Sequence, residues 1–281
     1  MNDMRTGTIN IVLILSFMWY TGVSCRKVES GNDPNFEIVS NSDKGFKHFK
    51  KKVEVFEIPI YAAYKVNDER LLHAANILAQ YLDNDEDGVV DDANIYNALL
   101  CAHAHLIFWN KESDIRKARH PSESAVGQDL GNDETQPSWH SNGHSGAFDA
   151  ALEEVFHLIT HAGYAIAYPT AFGEYAGTEL CNAMDVARGG QFVSVPGTYP
   201  GGAWYTYDDE TCEYGCMATE YIYWAMTSIL GAQANRLDEI QSEWGLNTRT
   251  LVETGDAAIY SLLTNPIYKF PIVLPDGSYK H

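Results

Sequence analysis

Residues 149–163, with the sequence DAALEEVFHLITHAG, constrain the fold strongly because their polar and apolar side chains recur with the period of a helix. At about 100° per residue, the apolar side chains gather on one face of such a helix. These side chains are Leu152, Val155, Phe156 and Ile159. The opposite face collects two carboxylates and two imidazoles, those of Glu153, Glu154, His157 and His161. The predicted helix therefore buries one face and holds four ionisable side chains close together on the other.

The spacing of those four polar residues suits a metal ion. Side chains four residues apart on a helix are neighbours, so Glu153 with His157, and His157 with His161, can each bind one ion. Glu154 lies three residues before His157 and forms a further pair. A solvated polar face is the alternative interpretation of an amphipathic helix. We favour metal binding because the apolar residues 163–169 predict a buried helix end, where ionisable groups need partners or a metal.

The sequence EEVFH of residues 153–157 resembles the HExxH helix of zincin metallopeptidases, with Glu in place of the first His. In that family the first and last positions bind zinc, and the Glu at the second position polarises the attacking water. The resemblance implies zinc ligands at Glu153 and His157 and a general base at Glu154. Residues 157–161 keep both histidines of the motif but carry a leucine where the base belongs.

Several residues are candidates for the remaining zinc ligands. His161 follows on the same predicted helix face. In gluzincins, a branch of the zincins, a further ligand is a Glu on a later helix, and Glu174 and Glu179 fall in that region. Glu220 is another candidate, because a carboxylate in the apolar helix predicted over residues 216–233 needs a partner.

Residues 83–91 carry acidic side chains at regular positions around Gly88. These are Asp83, Asp85, Asp87 and Asp91. Alternate side chains turn inward to a hard cation, Gly88 permits the sharp turn, and the carbonyl of Val89 adds a ligand. The stretch is similar to an EF-hand loop over residues 83–94, with Asn94 where EF-hands have a bidentate Glu. We expect a calcium ion that braces the fold; an acidic solvated turn is the alternative.

Apolar residues at helical spacing flank this loop on both sides, over residues 69–82 and 92–106. A period of 3.6 residues in such runs is the main sequence signal for a helix. The sequence therefore predicts an EF-hand-like helix–loop–helix.

Residues 1–25 have the pattern of an export signal, with Arg5 near the start, an apolar run over residues 9–20 and small residues at the end. The apolar run is short for a membrane span. Ser24–Cys25 resembles a bacterial lipobox, which implies that Cys25 is lipidated; ordinary secretion is the alternative. Residues 26–49 then form a flexible tether. We expect an exported protein, either lipid-anchored to the cell envelope or secreted, that contacts membranes by its lipid anchor only.

The charge balance argues against nucleic acid as a partner. The chain has 19 Lys and Arg against 38 Asp and Glu, a net charge of −19. Such a charge opposes binding to phosphate backbones and to anionic membrane surfaces.

Four cysteines follow Cys25, and an exported chain permits disulfides among them. They are Cys101, Cys181, Cys212 and Cys216. Three pairings are possible, and the sequence does not choose among them. The CxxxC formed by Cys212 and Cys216 could hold a metal, but a disulfide is the better interpretation.

The predicted fold is mainly α-helical, a compact multi-helix domain with little strand. With 45% hydrophobic residues, the chain can bury one large core or two modest ones. We expect a single domain over residues 50–281 that includes the helix–loop–helix. Residues 110–146 are predicted as a long loop, in which His140 and His144 could reach the Glu and His helix. Residues 269–274 are predicted as a short terminal strand.

These patterns favour an exported metal-dependent hydrolase, most similar to zinc metallopeptidases, with a structural calcium site and a peptide or glycan substrate. Two alternatives stay open. One is a calcium-braced surface lipoprotein that binds a glycan or peptide through the Tyr- and Trp-rich residues 191–207 without catalysis. The other is an iron oxidoreductase, because Glu154 and His157 have the ExxH spacing of di-iron bundles.

Overall fold

Five short strands form one mixed sheet in the computed structural model, which describes residues 35–111, 114 and 125–281. The strands are β1 (Asn35–Ser40), β2 (Lys51–Val55), β3 (Ile58–Ala62), β4 (His105–Trp109) and β5 (Gly127–Gly131). They lie in chain order across the sheet. The pairs β1–β2 and β2–β3 are antiparallel, whereas β3–β4 and β4–β5 are parallel. The prediction of a mainly α-helical fold with little strand is therefore wrong, and the fold mixes helix and sheet.

Two physical signals explain the missed strands. In β2, Val53 and Val55 are buried and alternate with less buried residues, which is the period of two that a half-buried strand requires. The helix predicted over residues 92–106 extends into the first two residues of β4, His105 and Leu106, because a short buried strand and a helix segment look alike in hydrophobicity. Strand β1 lies within residues 26–49, predicted as a tether, and its ladder with β2 places residues 35–40 in the sheet.

Among the described helices, those over residues 68–82 and 151–159 pack against the sheet. The first two helices along the chain are α1 (Asp68–Leu82) and α2 (Ala93–Cys101), followed by the short α3 (Ser138–Ser141). The central stretch holds α4 (Ala151–Ile159), a π-helical turn (Thr160–Tyr164), α5 (Ala165–Ala167), α6 (Pro169–Phe172) and α7 (Glu179–Ala187). The last part holds α8 (Tyr214–Leu230), α9 (Leu237–Ile240), α10 (Arg249–Gly255), α11 (Ala257–Leu263) and a 3-10 turn (Pro266–Tyr268).

The ends of α1 and α2 show why the chain folds as a helix–loop–helix. The Asn67 side chain accepts hydrogen bonds from the first backbone amides of α1, and Asp92 does the same for α2. Such caps satisfy amides that a helix leaves without an internal partner. The prediction of two helices around residues 83–91 is confirmed, with the second one ending at Cys101.

One hydrophobic core joins the sheet to the helices, with buried residues from β2 and β3 packed in the same cluster as those from α1, α4 and α8. Residues 269–274, predicted as a terminal strand, form none. The predicted loop over residues 110–146 contains β5 and α3 among its described residues. Within the described ranges, no helix has the length and apolar character needed to cross a bilayer. The predicted export signal and Cys25 lie outside these ranges.

Candidate functional site

Helix α4 carries Glu153, Glu154 and His157. Its apolar side chains, such as Val155 and Phe156, are buried in the main core. The helix packs against α1, β5 and α8, so its polar face meets the edge strand of the sheet and the long helix α8. The amphipathic pattern of residues 149–163 is therefore confirmed as a helix with one face in the core.

Glu153 and His157 of α4 meet Glu220 of α8. One ligand atom from each of the three residues lies within 4.8 Å of the other two. His157 Nε2 and Glu220 Oε2 are 3.5 Å apart. Both atoms are buried, and neither has a hydrogen-bond partner. Buried polar atoms without partners are uncommon and costly in folded proteins, so this pair is the feature of the cluster that most needs an explanation.

Burial and the neighbouring charges shift the pKa values of Glu153 and His157. Burial, opposed by His157 and reinforced by the nearby Glu220 and Glu154 carboxylates, raises the pKa of Glu153 to about 8. The hydroxyl of Tyr223 also hydrogen-bonds to Glu153. Burial alone would lower the pKa of His157, but Glu220 and Glu154 hold it well above its ordinary value. Perturbed titration of several adjacent groups is typical of functional sites.

Glu154 lies on the other edge of the His157 ring. Its Oε2 is 3.7 Å from His157 Nδ1, whereas Glu220 is beside Nε2. The amide of Gln128 on β5 donates a hydrogen bond to the same Glu154 oxygen. The carboxylate predicted to be the general base thus lies beside the imidazole, as its i, i+3 spacing from His157 predicts, and is held there by a strand residue.

His161 does not join the group of three. A π-helical turn begins at Thr160 and interrupts the α-helical register, so the i, i+4 relation to His157 no longer fixes the direction of this ring. His161 Nδ1 instead lies 2.6 Å from Glu174 Oε2. The other Glu174 oxygen accepts a hydrogen bond of 2.8 Å from the Thr219 hydroxyl.

A cleft of about 690 Å³ connects these groups. His157, His161, Glu174 and Glu220 line it together with residues of β5 and of the loop that leads into α8. Glu179 is exposed at the start of α7 and lines a different cleft with Asn182 and Ala183, so the structure does not bring this predicted ligand to the cluster.

A second buried cluster surrounds Asp149, which lies two residues before the first residue of α4. His73 Nε2 on α1 and His140 Nε2 on α3 lie 2.7 Å and 2.9 Å from Asp149 Oδ2. The other Asp149 oxygen accepts a hydrogen bond from the backbone amide of Gln136. His140, which was expected to reach the polar face of α4, thus lies on Asp149 instead. The separation of His73 and Asp149 along the chain leaves no local pattern that predicts this cluster.

The acidic loop brings three of its carboxylates together. Ligand atoms of Asp83, Asp85 and Asp91 lie within 4.8 Å of one another. Asp83 accepts hydrogen bonds from the amides of Asp87 and Gly88, and Gly88 has a φ of 84°. Gly88 therefore occupies the left-handed region, which glycine adopts without strain.

Asp87 and Asn94, two further predicted calcium ligands, lie outside this group of three. Asp87 accepts a hydrogen bond from the amide of Val89. The Asn94 side chain donates to the Tyr168 hydroxyl, and its backbone amide is capped by Asp92. The structure thus brings three of the predicted side chains together and directs Asn94 elsewhere.

Cys212 and Cys216 form a disulfide at the start of α8, and Cys216 lines the cleft. The preference for a disulfide over a metal pair at this CxxxC is thereby confirmed. Cys181 is a buried free thiol. The disulfide fixes the chain one helical turn before Glu220.

Comparison with known proteins adds no family assignment, because no protein-family profile, no curated protein and no solved structure matches this chain.

Proposed function

We propose that this protein is an exported metal-dependent hydrolase whose site resembles that of zinc metallopeptidases, with Glu153, His157 and Glu220 as the metal ligands. The observation that carries the proposal is the pair of buried, unpartnered atoms His157 Nε2 and Glu220 Oε2, 3.5 Å apart. Ligands about 2.0–2.1 Å from a tetrahedral zinc lie about 3.3–3.4 Å from one another. The separation and the donor types therefore fit a zinc ion.

The charge of the site supports the same assignment. Glu153, Glu154 and Glu220 place three carboxylates around one imidazole. The described residues that line the cleft include no Lys or Arg. Buried carboxylates need a compensating cation or a proton, and a divalent ion supplies that charge at neutral pH.

The protein residues have separate parts in this proposal. Glu153, His157 and Glu220 would hold the ion, and Glu154 would orient the His157 ring through Nδ1, as carboxylates commonly do for metal-binding histidines. Bound zinc would lower the pKa of water and polarise a substrate carbonyl. The cleft of about 690 Å³ has room for a peptide segment beside the cluster.

The proposal includes a structural calcium ion at Asp83, Asp85 and Asp91. Two carboxylates and one His also suit iron, so the metal content of the purified protein decides which metal is catalytic. Zinc with calcium favours the hydrolase, iron favours the oxidoreductase, and calcium alone favours a binding protein without catalysis.

Elemental analysis of the purified protein tests the proposal. Wild-type protein that is stripped by a chelator, loaded with zinc and then dialysed should retain about one zinc ion per chain. His157→Ala should lose that zinc because His157 supplies one of the two facing atoms. His48→Ala, at an exposed position outside the cleft, is the matched control and should retain it. Full zinc retention by His157→Ala would contradict the assignment.

Hydrolysis is measured on the same samples with fluorescein-labelled casein and a mixture of internally quenched peptides. The zinc-loaded wild type should release fluorescence, and His157→Ala should not. Zinc binding without any hydrolysis would support the metal site and contradict the enzymatic part of the proposal.

A further inference from the structure

We propose that His161, held by Glu174, is the general base of the cleft, a role that the zincin resemblance would give to Glu154. The assignment rests on the proposed function, because it names the proton acceptor for the same hydrolytic site. It follows from where the two side chains lie relative to the cluster and to solvent.

His161 has the geometry of an oriented, accessible base. Its side chain is 53% exposed and lines the cleft that contains His157 and Glu220. Nδ1 is engaged by Glu174 at 2.6 Å. With Nδ1–H donating to that carboxylate, the lone pair resides on Nε2, for which the described residues provide no hydrogen-bond partner. An imidazole fixed at one nitrogen and open at the other is the arrangement that general bases share.

Glu174 is held in place more firmly than an ordinary surface carboxylate. Its side chain is 14% exposed, and Thr219 donates a hydrogen bond to the oxygen that does not face His161. Gly215 at the start of α8 lies so close that an added Cβ would be 3.2 Å from the Glu174 carbonyl oxygen. The dyad is thus anchored to α8 one residue before Glu220, which fixes its position relative to the proposed metal ligand.

Glu154 is less suitable as the proton acceptor. Its carboxylate faces Nδ1 of His157, on the opposite edge of the ring from the Nε2–Glu220 gap. One of its oxygens already accepts a hydrogen bond from Gln128. A group in this position can orient His157, and Glu154 is not among the described residues that line the cleft.

The proton transfer balances without any additional reagent. As the water oxygen bonds to the carbonyl carbon, Nε2 of His161 accepts one water proton. As the carbon–nitrogen bond breaks, the same Nε2–H donates that proton to the leaving amine nitrogen. Glu174 remains ionised throughout and stabilises the transient imidazolium, as the Asp carboxylate of a Ser-His-Asp triad does.

The charged groups around His161 have opposing effects. Glu174 hydrogen-bonds to it, Glu220 and Glu213 line the same cleft, and His157 lies one turn earlier on the helix. The hydrogen bond to Glu174 raises the pKa of His161, while burial and His157 oppose that effect. Replacing Glu174 should therefore make the ring easier to deprotonate and a weaker base.

The test combines turnover, metal content and a direct observation of the ring. His161→Ala should retain zinc but lose about a hundred- to ten-thousand-fold in the rate of casein and peptide cleavage, the usual cost of removing a general base. Added imidazole should restore part of that rate. Glu154→Gln should weaken zinc binding by about 10–100-fold yet recover turnover at saturating zinc, because it loses only the group that orients His157.

Glu174→Gln separates a functional dyad from a structural contact. The acidic limb of the pH–rate profile should move to lower pH. In the metal-free protein, an NMR titration of the His161 Cε1–H should shift in the same direction. Glu253→Gln, an exposed substitution on α10, should change neither curve.

Two outcomes overturn the assignment by itself. One is a zinc-loaded His161→Ala protein that cleaves at the wild-type rate. The other is a Glu154→Gln protein that stays inactive at saturating zinc, together with a His161→Ala protein whose cleavage rate added imidazole does not restore. If the wild type binds no zinc and cleaves none of the probes, the proposed function fails and takes this assignment with it.

Discussion

At the scale of single residues, Asp149 determines how the Glu and His helix is anchored. One of its oxygens accepts hydrogen bonds from two imidazoles, His73 on α1 and His140 on α3, although the carboxylate is fully buried. Burial alone would raise the pKa of Asp149, but these two partners and the amide of Gln136 hold it well below its ordinary value. A buried carboxylate with several donors both stabilises the fold and depends on all of its partners.

Asp149→Ala should lower the free energy of unfolding by about 3–5 kcal/mol, the usual cost of removing one member of a buried ionic cluster. The substitution leaves His73 and His140 without their acceptor. Urea unfolding followed by circular dichroism measures the change. Asp208→Ala, at an exposed carboxylate, is the control and should change stability by less than about 0.5 kcal/mol.

The stabilisation from Asp149 should also depend on pH. Because the folded pKa is depressed, the contribution is complete above the unfolded value of about 3.9 and declines as the pH falls toward the folded pKa. The difference in stability between wild type and Asp149→Ala should therefore be constant near neutrality and narrow below about pH 4. A difference that grows on acidification would contradict the ionised state assigned to Asp149.

At the scale of elements, the sequence predicted the long helices well and the sheet poorly. Helices α1, α4 and α8 have clear apolar periodicity or capping residues, so their existence follows from local rules. Strands β4 and β5 are five residues each, and their pairing depends on residues that are distant in sequence. Local patterns do not encode that partner choice.

As with the fold, part of the candidate site was predictable from local patterns and part was not. Glu153 and His157 follow from helical spacing, and Glu220 from a carboxylate placed in an apolar helix. The direction of His161 was not predictable, because the π-helical turn at Thr160–Tyr164 has no recognised signal in the sequence. The contact of Glu154 with Gln128 depends on β5, which forms within the loop predicted over residues 110–146.

The acidic loop between α1 and α2 provides a prediction at the same scale. Calcium added to chelator-stripped protein should raise the melting temperature, because an ion that binds only the folded state adds about 2.7 kcal/mol at a hundredfold excess over its Kd. Asp85→Ala should remove the shift and keep the fold, since Asp85 is exposed. Differential scanning calorimetry measures both. Asp238→Ala, which replaces an exposed Asp on α9, is the control and should show the same calcium-induced shift in melting temperature as the wild type.

At the scale of the whole molecule, the C-terminal segment ties together parts that are far apart in the chain. The Asn84 side chain accepts hydrogen bonds from the amides of Ile272 and Val273. Gln80 accepts from the amides of Asp276 and Gly277, and Gln80 is 196 positions from Asp276. The polar side chains at the end of α1 therefore satisfy the backbone of the last residues, a relation that no local pattern could predict.

Tyr279 is the main anchor of this segment. Its ring is buried and makes edge contacts with Phe36 of β1 and Phe56 between β2 and β3. Its hydroxyl donates a hydrogen bond to the buried carboxylate of Asp83. One side chain thus connects the C-terminus, the sheet and the first residue of the acidic loop.

Tyr279→Ala should lower the free energy of unfolding by about 3–5 kcal/mol, as truncation of a buried aromatic side chain generally does. Tyr279→Phe keeps the packing and should cost about 1–3 kcal/mol, because Asp83 loses one donor in a buried position. Urea unfolding compares both variants with Ile272→Ala as the control. Ile272 is 86% exposed, and its hydrogen bond to Asn84 is made by the backbone amide. If Tyr279→Ala were no more destabilising than Ile272→Ala, the segment would not be part of the cooperative fold. Since Asp83 is also a proposed calcium ligand, the two Tyr279 variants should differ in calcium response as well. The loss of the hydroxyl alone leaves the Gly88 amide as the donor to the same Asp83 oxygen, whereas the loss of the ring also removes its packing against Phe36 and Phe56.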